Sequence, residues 1–327
     1  MIQDGTVDIT FLICTFHRED LLVEALHSML RLDGLGEIRY EILVIDNSDE
    51  ESAHSAIDDF VKSTACTQLR YLPAHPANIS VARNVGVDAA KGAYIAMIDD
   101  DMKVYPGWLQ AMRPLLREGT FDVLSGPVEA VFEDPALATG ESRKFFHRAP
   151  SLTAGTELHV MGPRRTRNFV PATSNAVFRG QTCFADGTRF DLRYGKSGGE
   201  DLDLFCRLEQ KGRRFTWVPN AWMSEIVPTR RCSFDYLERR SFSGGQIFAA
   251  IHVRNSPFPF LVAAKLGVVA ALQLLVSHAR SLVKPPRSEA DEQSLGLRRA
   301  AIKGKLHWRQ MFPLYARDKQ GLQSGEG

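Results

Sequence analysis

The chain has 327 residues, of which 44% are hydrophobic and 24% charged, with a formal net charge of +1. That composition belongs to a folded globular protein, and the near-neutral balance excludes a global electrostatic attraction for nucleic acid. The five cysteines, Cys14, Cys66, Cys183, Cys206 and Cys232, form no Cys-x-x-Cys pair and no metal-ligand spacing with histidine, which suits a reducing cytoplasm.

Met1 to Asp8 has neither a basic start nor an apolar stretch, so no secretory signal peptide is expected. Ile9 to Cys14 is a short apolar, β-branched run of the kind that becomes a parallel strand buried on both faces. A helix capped by Asp20 is expected next, with Leu21, Leu22, Ala25, Leu26 and Met29 on one face and Gly34 and Gly36 ending the pattern. The alternation continues as strand Tyr40 to Ile45, helix Ala53 to Lys62, strand Gln68 to Leu72, helix Ser80 to Ala90 and strand Ala93 to Ile98. Four strands separated by helix-length segments predict right-handed βαβ units and a mostly parallel sheet, an α/β fold. Beyond it the pattern gives helix Trp108 to Leu116 and one strand Val123 to Phe132, then a charged, proline-dotted stretch to Pro171 with a mobile middle. Regularity returns at Ala172 to Phe178 and in a helix Asp201 to Gln210, closed by Gly212.

Ligands of such sheets gather outside the carboxyl ends of the strands. Two acidic features fall there. Asp99, Asp100 and Asp101 directly follow an apolar strand, with two side chains expected on one side of the turn and one on the other. One or two carboxylates, completed by substrate phosphates and water, suffice for a hard cation such as Mg²⁺. Taken alone, the triplet is equally a solvated turn or the cap of the next helix. The second feature is Gly198-Gly199-Glu200-Asp201, where the acids begin a helix and can be catalytic or simply cap it.

Six segments taken together resemble glycosyltransferase family 2, with its GT-A nucleotide-diphospho-sugar fold. They are Leu12 to Arg18, Ile42 to Ser48, Ala82-Arg83-Asn84-Val85-Gly86, Ile98 to Asp101, Thr173-Ser174-Asn175 and Gly199 to Leu204. Within the family, Glu225 to Arg231 and Arg239 to Gly245 look most like bacterial exopolysaccharide transferases of the succinoglycan-pathway type. The resemblance implies that Asp46 accepts from the base edge while Thr15, Arg18 and Arg83 line the nucleotide pocket. It implies that Asp99 and Asp100 hold ribose and phosphate, that Asp101 ligates Mn²⁺ or Mg²⁺, and that Asp201, with Glu200 as the alternative, deprotonates the acceptor hydroxyl in an inverting displacement. Many relatives carry a histidine where Met223-Ser224-Glu225 stands, so Glu225 is a substitute metal ligand or a surface acid. The Gln-x-x-Arg-Trp motif of processive members is absent, which leaves Arg239 and Arg240 as candidate diphosphate or acceptor contacts or equally a solvated helix face; Asn175 is a further candidate contact from its segment.

The expected division is a catalytic domain over residues 1–245 and a C-terminal helical extension over 246–327. Phe258 to Val276 is apolar around most of a helix, interrupted by Lys265 and Gln273, and is followed by many basic residues. That combination predicts association with the cytoplasmic face of a membrane and a lipid-linked saccharide acceptor; a buried core helix or dimer contact is the other reading. The donor implied is a nucleoside-diphosphate sugar, a UDP-sugar first, and no nucleic acid partner is expected. A nucleotidyltransferase or a non-catalytic sugar-binding module is the competing function. A dinucleotide oxidoreductase is disfavoured because no Gly-x-Gly-x-x-Gly follows the first strand.

Overall fold

The computed structural model describes residues 7–312, so the leader expectation for Met1 to Asp8 falls almost entirely outside the described residues. The expected elements form. Strand β1 (Val7–Thr15) is followed by α1 (Glu19–Met29), β2 (Tyr40–Asp46), α2 (His54–Thr64), β3 (Leu69–Pro73), α3 (Ile79–Ala89) and β4 (Gly92–Asp99). Arg18, rather than Asp20, occupies the N-cap of α1, and Glu19 and Asp20 lie in its first turn, where negative charge suits the helix dipole. After β4 come β5 (Met102–Val104), α4 (Trp108–Glu118), β6 (Val123–Ser125), β7 (Val128–Phe132), α5 (Gly140–Phe146) and β8 (Glu157–Leu158). The series continues with β9 (Ala176–Arg179), α6 (Gly180–Cys183), α7 (Glu200–Gln210), β10 (Phe215–Trp217), β11 (Met223–Val227) and helices α8 (Phe234–Arg254), α9 (Pro259–Val283) and α10 (Glu289–Leu306).

The main sheet runs β3-β2-β1-β4-β9-β6-β10-β8, and β5-β11-β7 form a second, three-stranded sheet. Strands β3, β2, β1 and β4 are mutually parallel, while β9 runs antiparallel to both β4 and β6. The core lies on the faces of β1, β2 and β4, where Phe11, Ile13, Ile42, Val44 and Ala96 are fully buried against α1, α2 and α4.

Residues 123–132, expected as one strand, divide at Gly126-Pro127 into strands of different sheets. The close crossing needs glycine: a Cβ on Gly126 would sit 2.3 Å from the Ala221 carbonyl oxygen. The stretch toward Pro171, expected to be mobile in its middle, contains α5 and β8 and is anchored by Glu209, whose carboxylate accepts from the Val160 and Met161 amides.

The chain forms two compact units. One comprises the described residues up to Leu192 with Asp201–Cys232; the other comprises Arg193–Glu200 with the described residues from Ser233. The expected boundary after Gly245 therefore falls inside α8, a continuous helix. Within the second unit, α8 and α10 approach so closely that a Cβ on Gly245 or Gly304 would lie 2.0 Å from a carbonyl oxygen of the facing helix. In the same unit Arg254 stacks over the Tyr194 ring, tying residues 193–200 to α8.

Candidate active site

Parallel pairing sets Thr15, Asp46 and Asp99, the last residues of β1, β2 and β4, at the same sheet end. Because β9 is antiparallel to β4, the Thr173-Ser174-Asn175 segment that leads into it arrives at that end as well. The three aspartates then divide. Asp99 is 41% exposed at its side chain and faces Arg83 at 3.4 Å, whereas Asp100 and Asp101 are buried and face Arg18, at 2.9 and 3.2 Å. The Thr15 hydroxyl donates to the second oxygen of Asp100 at 2.9 Å.

Arg83, on the second turn of α3, connects the two acidic segments. Its guanidinium lies 2.6 Å from Asp201 and 3.4 Å from Asp99, with its carbon over the Phe190 ring. The Thr173 hydroxyl also donates to Oδ1 of Asp201, at 2.9 Å, and the Thr173 amide donates to Oδ2 at 3.1 Å. Oδ1 is thus doubly engaged, while Oδ2 keeps one of its two lone-pair positions for a further hydrogen bond. Glu200, the preceding residue at the start of α7, is buried.

Antiparallel pairing of β5 with β11 brings Glu225 beside Asp101: Glu225 is in register with Met102, and the Ile226 amide donates to the Asp101 carbonyl. Glu225 is buried, not a surface acid, and is held by Arg148 at 3.3 Å and Arg231 at 3.4 Å. Arg231 also lies 3.7 Å from Asp101. Burial first, then the charges of Asp99, Glu225 and Asp100, pushes the Asp101 carboxyl up to about 7. Burial raises Asp100 as well, against the opposing pull of Arg18. The nearby Cys14 thiol is pushed up by burial to about 12 and is no nucleophile.

Two expected contacts are spent on the fold instead. Asp46 is fully buried and accepts from the Ser48 amide and hydroxyl, the Ala53 amide and the Tyr71 hydroxyl, so all four of its acceptor positions are taken and none is left for a base edge. Asn175 is buried with φ 62°, donates to the Pro127 and Ala221 carbonyls and accepts from the Trp108 indole, so its amide is engaged in joining loops. Arg239 pairs with Asp235 one turn earlier on an exposed face of α8, the solvated helix-face arrangement, whereas Arg240 is half-buried and approaches the Tyr236 hydroxyl. Conversely, the sequence assigns no role to Thr173, Arg148 or Arg231. Thr173 and Arg231 stand in quoted motifs, but Arg148 carries no local signal.

Among the described residues, no three His, Cys, Asp or Glu side chains gather at metal-ligand spacing. What is present is a carboxylate pair, Asp101 and Glu225, in which burial first and the neighbouring carboxylates second raise Asp101. That pair fits an ion that takes one or two protein carboxylates and draws its remaining ligands from phosphates and water.

The raised Asp101 pKa has a testable sign. A carboxyl whose folded pKa exceeds its unfolded value favours folding below the ordinary carboxylate range, and that contribution is lost as pH rises through about 7. The metal-free wild type should therefore lose melting temperature relative to Asp101→Asn between pH 5 and pH 8. A constant difference across that range would contradict the assignment.

A mixed α/β sheet with acidic residues converging at the strand ends defines a GT-A-like transferase, and the comparisons agree. The family model described as Glycosyl transferase family 2 matches residues 10–180. The chain is 31% identical over 245 residues to the succinoglycan biosynthesis protein ExoM of Rhizobium meliloti (strain 1021), covering 75% of each chain. It is 26% identical over 216 residues to a pre-mycofactocin glycosyltransferase of Mycobacterium tuberculosis, covering 65% of this chain and 43% of that one. The fold matches the mannosyltransferase PcManGT of Pyrobaculum calidifontis with a TM-score of 0.58 at 19% identity, covering 94% of this chain and 89% of that one. It matches residues 1–349 of S. aureus TarS with a TM-score of 0.57 at 11% identity, covering 93% and 92%. The protein belongs to glycosyl transferase family 2 and is a family 2 glycosyltransferase. The nucleotidyltransferase and non-catalytic readings fall with that assignment.

Proposed function

We propose that this enzyme is an inverting, non-processive transferase that moves a sugar from a nucleoside-diphosphate sugar, a UDP-sugar first, to a hydroxyl of a saccharide or lipid-linked saccharide in polysaccharide biosynthesis. The observation that carries the proposal is the Arg83 bridge, which holds Asp99 of the first acidic segment and Asp201 of the second around one guanidinium. ExoM's role in succinoglycan biosynthesis supports the polysaccharide reading, and TarS solved with UDP-GlcNAc supports the uridine donor. PcManGT was solved with GDP-Man and Mn²⁺, which supports a divalent ion in this fold.

In this mechanism Thr15 and Arg18 hold Asp100, and Asp99 and Asp100 position ribose and phosphate. Asp101 and Glu225 would hold Mn²⁺ or Mg²⁺, which supplies Lewis-acid stabilisation of the departing diphosphate. Oδ2 of Asp201 takes the acceptor proton as the hydroxyl attacks the anomeric carbon from the face opposite the leaving group, and one displacement inverts that centre. The test is incubation with a panel of sugar nucleotides and Mn²⁺. Release of nucleoside diphosphate from one donor supports the reading, and release from none contradicts it.

The membrane proposal rests on α9. This helix has 25 residues, mean hydropathy 2.1 over its most apolar window, and only 6% of that window buried. The core-helix alternative therefore loses its basis: Phe260 is 89% exposed, and Leu261, Val268, Leu272 and Leu275 are also exposed. At 1.5 Å per residue α9 is about 37 Å long, enough to cross a hydrocarbon core of roughly 30 Å. However, its last turns are tied to α10 by Arg299, which donates to the Ser277 carbonyl and the Ser281 hydroxyl, and α10 packs in turn on α8. A spanning α9 would drag the charged α10 into lipid, so the helix lies in the interfacial layer. Replacing Leu261, Val268, Leu272 and Leu275 with glutamate should reduce sedimentation with anionic vesicles at least tenfold, since each apolar side chain contributes on the order of 1.5–3 kcal/mol when removed from water. Truncation before Phe258 is a poorer test, because it would also strip α10 from α8. If wild type and variant both fail to bind vesicles, the membrane assignment is wrong.

A further inference from the structure

Of the segment Glu225-Ile226-Val227-Pro228-Thr229-Arg230-Arg231, the mechanism above uses only the glutamate. Its arginine is placed by a short 3-10 turn over Thr229–Cys232, where the Arg231 amide donates to the Pro228 carbonyl directly after β11. From there the guanidinium reaches Oε1 of Glu225 at 3.4 Å and Oδ2 of Asp101 at 3.7 Å, with its side chain 14% exposed.

Three arginines surround this carboxylate pair, and they differ in what else holds them. Arg18 also binds Asp100 at 2.9 Å, and Arg148 also donates to the Ser174 hydroxyl at 3.0 Å. Arg231 has the longest ion-pair distances of the three, and both of its carboxylate partners are the proposed metal ligands. A dication on those oxygens repels all three guanidiniums, and Arg18 and Arg148 keep their bonds to Asp100 and Ser174, so Arg231 is the one displaced.

Resting on the functional reading above, we propose that Arg231 is an exchangeable counter-cation. It neutralises Asp101 and Glu225 in the empty enzyme, is displaced when the divalent ion binds, and then contacts the diphosphate of the donor. The planar guanidinium suits the second role as well as the first, since it forms paired hydrogen bonds with phosphate as readily as with carboxylate. The exchange also avoids leaving a buried charge unpaired in either state.

The inference predicts effects of opposite sign from one substitution. Mn²⁺ binding without nucleotide, read from the electron paramagnetic resonance signal of free Mn²⁺, should tighten roughly tenfold in Arg231→Gln, because a competing cation is gone. UDP binding at saturating Mn²⁺, read by titration calorimetry, should weaken about 10- to 100-fold, the usual worth of charge-assisted hydrogen bonds. An arginine that serves only structure would weaken both, and one that stays on Glu225 would leave UDP unaffected; either result overturns the proposal. Should the glutamine variant fail to fold, Arg231→Lys keeps the charge but loses the fork. It should hold Mn²⁺ within about twofold of wild type while UDP weakens severalfold, and unchanged UDP binding with weakened Mn²⁺ would overturn the proposal. A wild type that binds neither Mn²⁺ nor UDP overturns the functional reading itself, a result distinct from failure of the exchange.

Discussion

Asp201→Asn should bind the donor nearly as well as the wild type yet transfer its sugar roughly 10²–10⁴-fold more slowly, the usual contribution of a positioned general base. The carboxylate accepts from the Thr173 amide on one oxygen and from the Thr173 hydroxyl and Arg83 on the other. An asparagine can satisfy the second group with its carbonyl, but its NH₂ then faces the Thr173 amide donor to donor. Some stability should also be lost, about 1–3 kcal/mol, as for other buried groups left unsatisfied. A thermal melt separates that loss from the kinetic one, because a variant still folded at assay temperature and still donor-bound has lost chemistry alone. Retained transfer would move the base elsewhere, with Glu200 the first alternative.

Asp101→Ala should abolish metal-dependent turnover and weaken nucleoside-diphosphate binding only when Mn²⁺ or Mg²⁺ is present. Asp101 lies beside Glu225 and is crowded by Asp99 and Asp100, so it is the carboxyl whose ionised form gains most from a dication. Removing it leaves Glu225 alone with Arg148 and Arg231. The loss should be several kcal/mol of transition-state stabilisation, the amount a bound metal supplies. Equal wild-type activity with and without a chelator would end the metal assignment.

The sheet was legible because β1, β2 and β4 are buried on both faces and read as unbroken apolar runs, with helix periodicity between them. The short strands were not. β5 has three residues and follows the acidic triplet directly, and the join of β6 to β7 hides a change of sheet behind one Gly-Pro step. The acidic segments could be found from position, since residues after parallel strands converge. Their partners could not: Arg148 reaches Glu225 from a proline-dotted stretch with no periodicity, and Arg83 meets Asp201 across 118 residues. Asp46 and Asn175 show the opposite error. Short polar side chains at strand ends look like ligand contacts, but both satisfy buried backbone groups whose neglect would be costly. In the Glu225 to Arg231 segment the glutamate drew attention because it replaces an expected histidine, while the arginine six residues later, brought back over it by a 3-10 turn, left no mark in the spacing.

The central claim is a single displacement at the anomeric carbon, with Asp201 taking the proton. Proton NMR of the first product formed from an α-linked UDP-sugar donor in the presence of Mn²⁺ tests it most directly. The arrangement predicts a product with β configuration at the transferred sugar; a product that keeps the α configuration would contradict it.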